Sequence, residues 1–144
     1  DNNEDYQSGF IQNKYGFQLG IKGDFNNLSY LLEFNQVQPY TYGHRTILQN
    51  YSHMNQALAH PLGANFKEAI GILEYKKNNW NYRLKSLVAF VGLDSLGTHY
   101  GQDIFQSDNE ASTGGQFSYG NYNGQGVSTM ILSLDAEVVL RLEL

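Results

Sequence analysis

Cysteine is absent from this chain, which excludes disulfides and thiol chemistry and leaves the compartment open. Proline occurs only twice, while glycine is abundant and aromatics, mostly tyrosine and phenylalanine, reach 14%. That balance favours twisted, half-exposed β-structure over helix. The nine lysines and arginines form no cluster and the formal net charge is -5, so a nucleic-acid partner is not expected. No run of about 18 apolar residues is present, which excludes a transmembrane helix but not membrane strands. The opening residues Asp1-Asn2-Asn3-Glu4-Asp5 lack the charged and apolar regions of a signal peptide, so either export is not involved or the chain is a mature or truncated product.

At 144 residues, the chain is long enough for one domain with a sizeable core. Residues 1–15 are polar and read as a frayed segment or a lead-in strand. From Phe17 the pattern alternates: Phe17, Leu19, Ile21, Gly23 and Phe25 share one face, and Gln18, Gly20, Lys22 and Asp24 share the other. Asn26-Asn27 reads as a two-residue turn, because asparagine tolerates positive φ. This turn pairs Phe25 with Leu28, Gly23 with Tyr30, Ile21 with Leu32 and Leu19 with Phe34, and on the reverse face only Leu31 breaks the polar pattern. A second hairpin around Asn78-Asn79 pairs Tyr75 with Tyr82, Leu73 with Leu84, Gly71 with Ser86 and Ala69 with Val88. It also sets Glu74 against Arg83. Trp80, Tyr82 and Tyr75 gather at its turn end, either as a membrane-interface girdle or as ordinary strand residues.

The resulting layout is a hairpin over 16–37, a long loop over 38–65, a hairpin over 66–93, a long loop over 94–126 and a terminal strand or strands over 127–144. In the last segment Met130, Leu132, Leu134, Ala136, Val138 and Leu140 alternate with more polar neighbours, and the lack of Gly, Pro or Asn favours one strand over two. Residues 106–126 contain no Leu, Ile, Val or Met, so a mobile surface loop is expected there. Connections that alternate short and long are the rhythm of an antiparallel, up-and-down outer-membrane β-barrel. In such a barrel Gly20, Lys22, Glu33, Asn35, Glu74, Arg83 and Lys85 would face a hydrated lumen, with Glu74 and Arg83 as a lumen salt bridge. A soluble antiparallel sheet with one wet face shows the same alternation. Five or six strands fall short of the eight of the smallest single-chain barrels, and the end at Leu144 lacks a turn or polar tail, so a piece of a larger barrel is expected.

The stretch 49–65 is long for a connection in a compact domain, which marks it as functional or disordered. Asn50 to Leu58 reads as a short helix capped by Asn50, with Leu48, Tyr51, Met54 and Leu58 on one face and Pro61 ending it, able to fold inward as a plug. Glycan recognition needs aromatic faces beside amides and carboxylates. Tyr40, Tyr42, Asn50, Tyr51, His53, Asn55, Gln56 and His60 are the candidates in this loop, with Phe117, Tyr119 and Tyr122 in the second. The same residue types also suit ordinary barrel loops. His53 and His60 lack the close pairing of a zinc site, so no metal or other cofactor is expected. Ser52 and Ser95 lack a nucleophile elbow, so an enzyme is not expected.

The segments Glu33 to Tyr42, Leu48 to His53 and Asn55 to Phe66 resemble the outer-membrane β-barrels of Bacteroidetes that are grouped with the capsule-assembly Wzi family and with gliding-motility barrel proteins. The likeness runs over roughly residues 28–100 and is most specific at His60-Pro61-Leu62-Gly63-Ala64-Asn65. It implies a bacterial outer-membrane location, outer-membrane lipid and surface polysaccharide as partners, and a capsule-attachment or adhesive and gliding role without catalysis. The chain is much shorter than a whole member of that family. A soluble β-sandwich glycan-binding module and a structural subunit pairing with other envelope proteins are the alternatives.

Overall fold

The computed structural model describes residues 9–54, 56–95, 97–107 and 119–142. It is all-β, and its main element is one open antiparallel sheet of five strands. The strands are β1 (Gly16–Phe25), β2 (Leu28–Val37), β5 (Phe66–Lys77), β6 (Trp80–Leu93) and β7 (Val127–Leu140), hydrogen-bonded in chain order. A two-residue ribbon, β3 (Ser52–His53) with β4 (Gln56–Ala57), belongs to the first long loop.

Both tight turns form at the asparagine pairs. Asn26 and Asn78 adopt φ of 52° and 53°, a left-handed conformation that asparagine tolerates better than most side chains. The register in each hairpin follows from this, with Phe25 opposite Leu28, Leu19 opposite Phe34, Tyr75 opposite Tyr82 and Glu74 opposite Arg83. The Lys76 amide donates to the Asn27 carbonyl and the Arg141 amide to that of Asn79, so both turns lie at one end of the sheet. Both long connections therefore lie at the other end. The terminal segment is a single strand as far as Leu140, paired with β6 along its whole length.

Because the register is unbroken, the two faces are continuous across all five strands. One face carries Leu19, Ile21, Leu32, Phe34, Leu73, Leu84, Val88, Leu132 and Leu134 in cross-strand rows. No second layer of the described residues covers it: Leu19 is 71% exposed, Leu32 53% and Leu134 71%. The opposite face carries Lys22, Asp24, Glu33, Asn35, Glu74, Arg83, Lys85, Asp135 and Glu137, with Leu31, Ile70, Ile72 and Leu87 among them.

The small core sits at the loop end, where Val37, Ala64, Phe66, Ala89 and Val91 cluster under Tyr42, Leu62 and Leu93. Loop backbone off the sheet ladder is satisfied partly by other loop backbone, as where the Tyr40 amide donates to the Gly101 carbonyl, and partly by side-chain amides. The buried Asn65 donates to the carbonyls of Gly92 (2.8 Å) and Gln125 (2.9 Å), and its oxygen accepts the Gly124 amide (2.7 Å). A Cβ on Gly92 would collide with the Asn65 amide nitrogen and the Gln125 carbonyl, so glycine is required for this approach. Asn123 donates to the Val37 and Phe66 carbonyls, and Gln125 to that of Tyr100.

Three local expectations are corrected. The helix from Asn50 to Leu58 does not form. A 3₁₀ turn occupies Ile47–Gln49, Asn50 follows it with extended backbone, and the β3–β4 ribbon comes next. The Asn50 side chain, expected to cap a helix, instead accepts the His44 amide and donates to the carbonyls of Ile104 and Gln106. Leu48 and Met54 are 93% and 86% exposed and form no buried stripe. The second long loop is tied to the core rather than a free surface loop over its described part, because Ser107 and Gln125 are buried and hydrogen-bonded. Residues 108–118, including Phe117, lie outside the described residues. The segment 9–15 is also not a lead-in strand: Ile11 is buried, and the Lys14 ammonium donates to the Gly43 carbonyl.

Asn65 combines a left-handed φ of 60° with three side-chain hydrogen bonds, two of them buried. Asn65→Ala should cost about 2–4 kcal/mol in equilibrium unfolding, because it strains the backbone and leaves buried polar groups unpaired. Asn65→Gly, which relieves only the strain, should cost less.

Candidate functional site

The polar face is most elaborated where the first long loop folds over β1, β2 and β5. A cavity of about 400 Å³ opens there, lined by Gln18, Glu33, Asn35, Thr41, Tyr42, His60 and Phe66. Its volume is in the range of small-ligand pockets, and its wall mixes aromatic rings with amide, hydroxyl and carboxylate groups.

The polar floor is set by strand register. Asn35 on β2 lies opposite Glu68 on β5, and both point to the polar face. The Asn35 amide bridges two carboxylates, donating to Glu33 Oε1 at 2.8 Å and to Glu68 Oε1 at 3.0 Å. Glu68 is only 3% exposed, and His60 Nε2 meets the same oxygen at 3.2 Å. His60 Nδ1 accepts the Leu62 amide at 3.3 Å, so the hydrogen facing Glu68 is on Nε2. The imidazole also stacks on Phe66, with ring centres 4.5 Å apart. Thus one histidine and one asparagine hold a buried carboxylate that would otherwise be costly to desolvate.

Tyr42 and Tyr51 stack at 5.9 Å with an interplanar angle of 21°, and Tyr51 leaves 55% of its surface open. Burial and the neighbouring Tyr51 hydroxyl raise the Tyr42 phenol above its ordinary value, so it stays a neutral donor. His53 and Gln56 are exposed, paired across the β3–β4 ribbon. Tyr119 and Tyr122 are exposed in the second loop.

Two candidates are removed from any ligand surface. Tyr40 is 1% exposed, its hydroxyl donates to the His99 carbonyl at 2.8 Å, and its ring meets His99 edge-on at 5.1 Å. Asn50 is buried, with its side chain bonded inside the fold. Asn55 lies outside the described residues. Glu74 and Arg83 pair at 3.4 Å near the turn end, away from the loop cavity. Among the described residues, no group of three or more acidic or histidine side chains is arranged to hold a metal ion. Glu68 was missed because it becomes a neighbour of Asn35 only once the two hairpins pair with each other. Running the ladder on from Val37 opposite Phe66 would have found it.

A second polar knot holds the other loop. The Asp94 carboxylate accepts the backbone amides of Tyr100 and Asp103 and the ring Nδ1 of His99. Comparison of the chain with protein-family models, curated proteins and solved structures finds no match in any of the three.

Burial pushes the Asp94 carboxyl up, but the His99 ring and the two amides outweigh it and hold the group below its ordinary 3.8. A depressed folded-state pKa means that the stabilisation is complete above the unfolded value and is lost as pH falls through the folded one. Amide protection across residues 97–107 should therefore weaken below about pH 3.8, while the β5–β6 hairpin amides stay protected. Asp94→Asn should abolish that pH dependence in a hydrogen-exchange titration.

Proposed function

We propose that this chain forms part of the wall of a bacterial outer-membrane β-barrel, with its loop end turned toward surface polysaccharide. The continuous uncovered apolar face carries the reading. Large apolar side chains forgo about 1.5–3 kcal/mol each when left in water rather than buried, and a soluble sheet does not leave that many open over five strands. Lipid is a solvent in which the face is stable as it stands.

The margins of the face support the same reading. Phe17, Phe34 and Phe90 lie toward the loop end, and Phe25, Tyr75, Trp80 and Tyr82 lie toward the turns, as in the aromatic girdles of membrane barrels. From Phe90 to Trp80 is about 34 Å along β6 at about 3.4 Å per residue. At a tilt of about 40° this spans about 26 Å, close to the height of a barrel's apolar band. Lys67 and Lys77 stand at the two margins of the same face. The polar face, including the Glu74–Arg83 pair, then belongs to a hydrated lumen.

Polysaccharide contact is supported by the half-open Tyr42–Tyr51 stack beside a cavity bearing Gln18, Glu33, Thr41 and His60. Rings of this kind match the apolar faces of sugars, and amides and carboxylates match their hydroxyl edges. The resemblance of 28–100 to capsule-assembly and gliding barrels points the same way. A soluble β-sandwich needs a second layer over Leu19, Leu32, Leu84 and Leu134, and none of the described residues supplies it.

Neighbouring residues on β7 separate the two solvents. Leu134→Arg should cost about 2–4 kcal/mol of folding stability in lipid vesicles, because the charge enters the middle of the band. Ser133→Arg, on the lumen side, should leave stability within about 0.5 kcal/mol. Equal tolerance of both, or extraction of the protein without detergent, would sink the membrane reading.

A further inference from the structure

The cavity beneath the first long loop has a one-sided chemistry. Its polar wall is built from Gln18, Glu33, Asn35, Thr41, Tyr42 and His60, and no lysine or arginine lines it. Glu33 is half-buried there, and among the described residues no cation forms an ion pair with it. The Asn35 and Gln18 side-chain amides donate to its carboxyl, hold it below the usual carboxylate range and so keep it charged at neutral pH. Asn35 also bonds the second carboxylate, Glu68, which His60 Nε2 already serves. Two carboxylates against one imidazole leave the site negative whichever form the histidine takes.

The hydrogen-bonding groups are unbalanced in the same sense. Both hydrogens of the Asn35 amide are spent on the two carboxylates, and the Thr41 hydroxyl hydrogen goes to the Gln38 carbonyl at 2.7 Å. What the wall still offers is mainly lone pairs, on the Glu33 carboxylate, the Thr41 hydroxyl and the Gln18 carbonyl. Tyr42 adds one hydroxyl donor, and its ring, stacked on Tyr51, supplies an apolar surface. A ligand that complements this wall brings hydrogen-bond donors, positive charge and a flat apolar face of its own.

We infer that the cavity takes a sugar unit bearing a protonated amine, with the ammonium on Glu33 and the apolar ring face against Tyr42, and that it turns away acidic sugars. This rests on the polysaccharide part of the proposed function and narrows it to one class of glycan. An ammonium gives Glu33 a hydrogen bond with charge on both partners, a stronger contact than a hydroxyl or an acetamide makes in its place. A uronate would set a third carboxylate against two, with no basic side chain in the wall to receive it. At about 400 Å³ the cavity is near the small end of ligand pockets, so it suits a terminal or branch unit rather than a length of chain.

The test is a ligand-observed NMR titration of the native protein at about pH 6, where sugar amines are protonated and carboxylates ionised. The probes are chitobiose, its N,N′-diacetyl form and cellobiose, which differ only in the group at C2, together with a glucuronate-containing disaccharide and ethanolamine. Chitobiose should bind at least about tenfold more tightly than each of the others and should weaken with added salt. Glu33→Gln should reduce that preference to within about twofold. Tyr51→Ala, at an exposed ring, should weaken the saccharides together and leave the preference in place. If Glu33→Gln does not fold, the comparison of probes on the unaltered protein decides by itself. Equal binding of cellobiose or the diacetyl form, tighter binding of the glucuronate, a preference that survives Glu33→Gln, or ethanolamine binding as well as chitobiose would each overturn the inference. Saccharide binding without charge preference would leave the polysaccharide reading standing, whereas binding of no saccharide would end both. A chitobiose preference in protein released without detergent would keep this inference while the membrane reading falls.

Discussion

An unbroken antiparallel register is the constraint on which everything else in this protein depends. Every strand residue must point to one side or the other, and no bulge shifts the alternation within the five paired strands. Two hairpins and a terminal strand thereby merge their apolar positions into a single surface. A one-residue slip of β6 or β7 would turn Leu84 or Leu132 onto the polar face and mix the two faces. The asparagine turns matter for this reason, since their left-handed geometry fixes each hairpin register through local contacts alone.

The loop end is stabilised differently. Its apolar core is small, built on Val37, Ala64, Phe66, Ala89 and Val91, and the surrounding backbone has no strand partner. Amide side chains take over: Asn50, Asn65, Asn123 and Gln125 each join segments far apart in the chain. Asp94 gathers three donors in the same manner. The richness in Asn, Gln and Gly that reads as loop composition is therefore also a cross-linking chemistry. It fixes a cavity whose floor is the Glu33–Asn35–Glu68–His60 chain and whose rim is the Tyr42–Tyr51 stack.

How far the site could be read in advance varied from residue to residue. Tyr42, Tyr51 and His60 were chosen by residue type, and the structure places them at or beside one cavity. Tyr40 and Asn50 were chosen on the same grounds, yet they are buried braces, because residue type does not reveal whether a polar group is already satisfied. The expected helix at Asn50–Leu58 failed for a related reason. Local capping chemistry and apolar spacing were present, but the Asn50 Oδ1 that would cap a helix accepts the His44 amide instead, its nitrogen donates to the Ile104 and Gln106 carbonyls, and Met54 turns left-handed at φ 49°.

The amino-acid order alone determined the hairpins, their turns, their register and the split between apolar and polar faces. Each depends on a period of two and on neighbours within about twenty residues. Only the tertiary structure decided that the hairpins join edge to edge, that Glu68 comes to lie against Asn35 and His60, and that the loops are held by amides. Those contacts join residues far apart in the chain, and hydrogen-bonding groups carry no mark in the sequence of which distant partner they will meet.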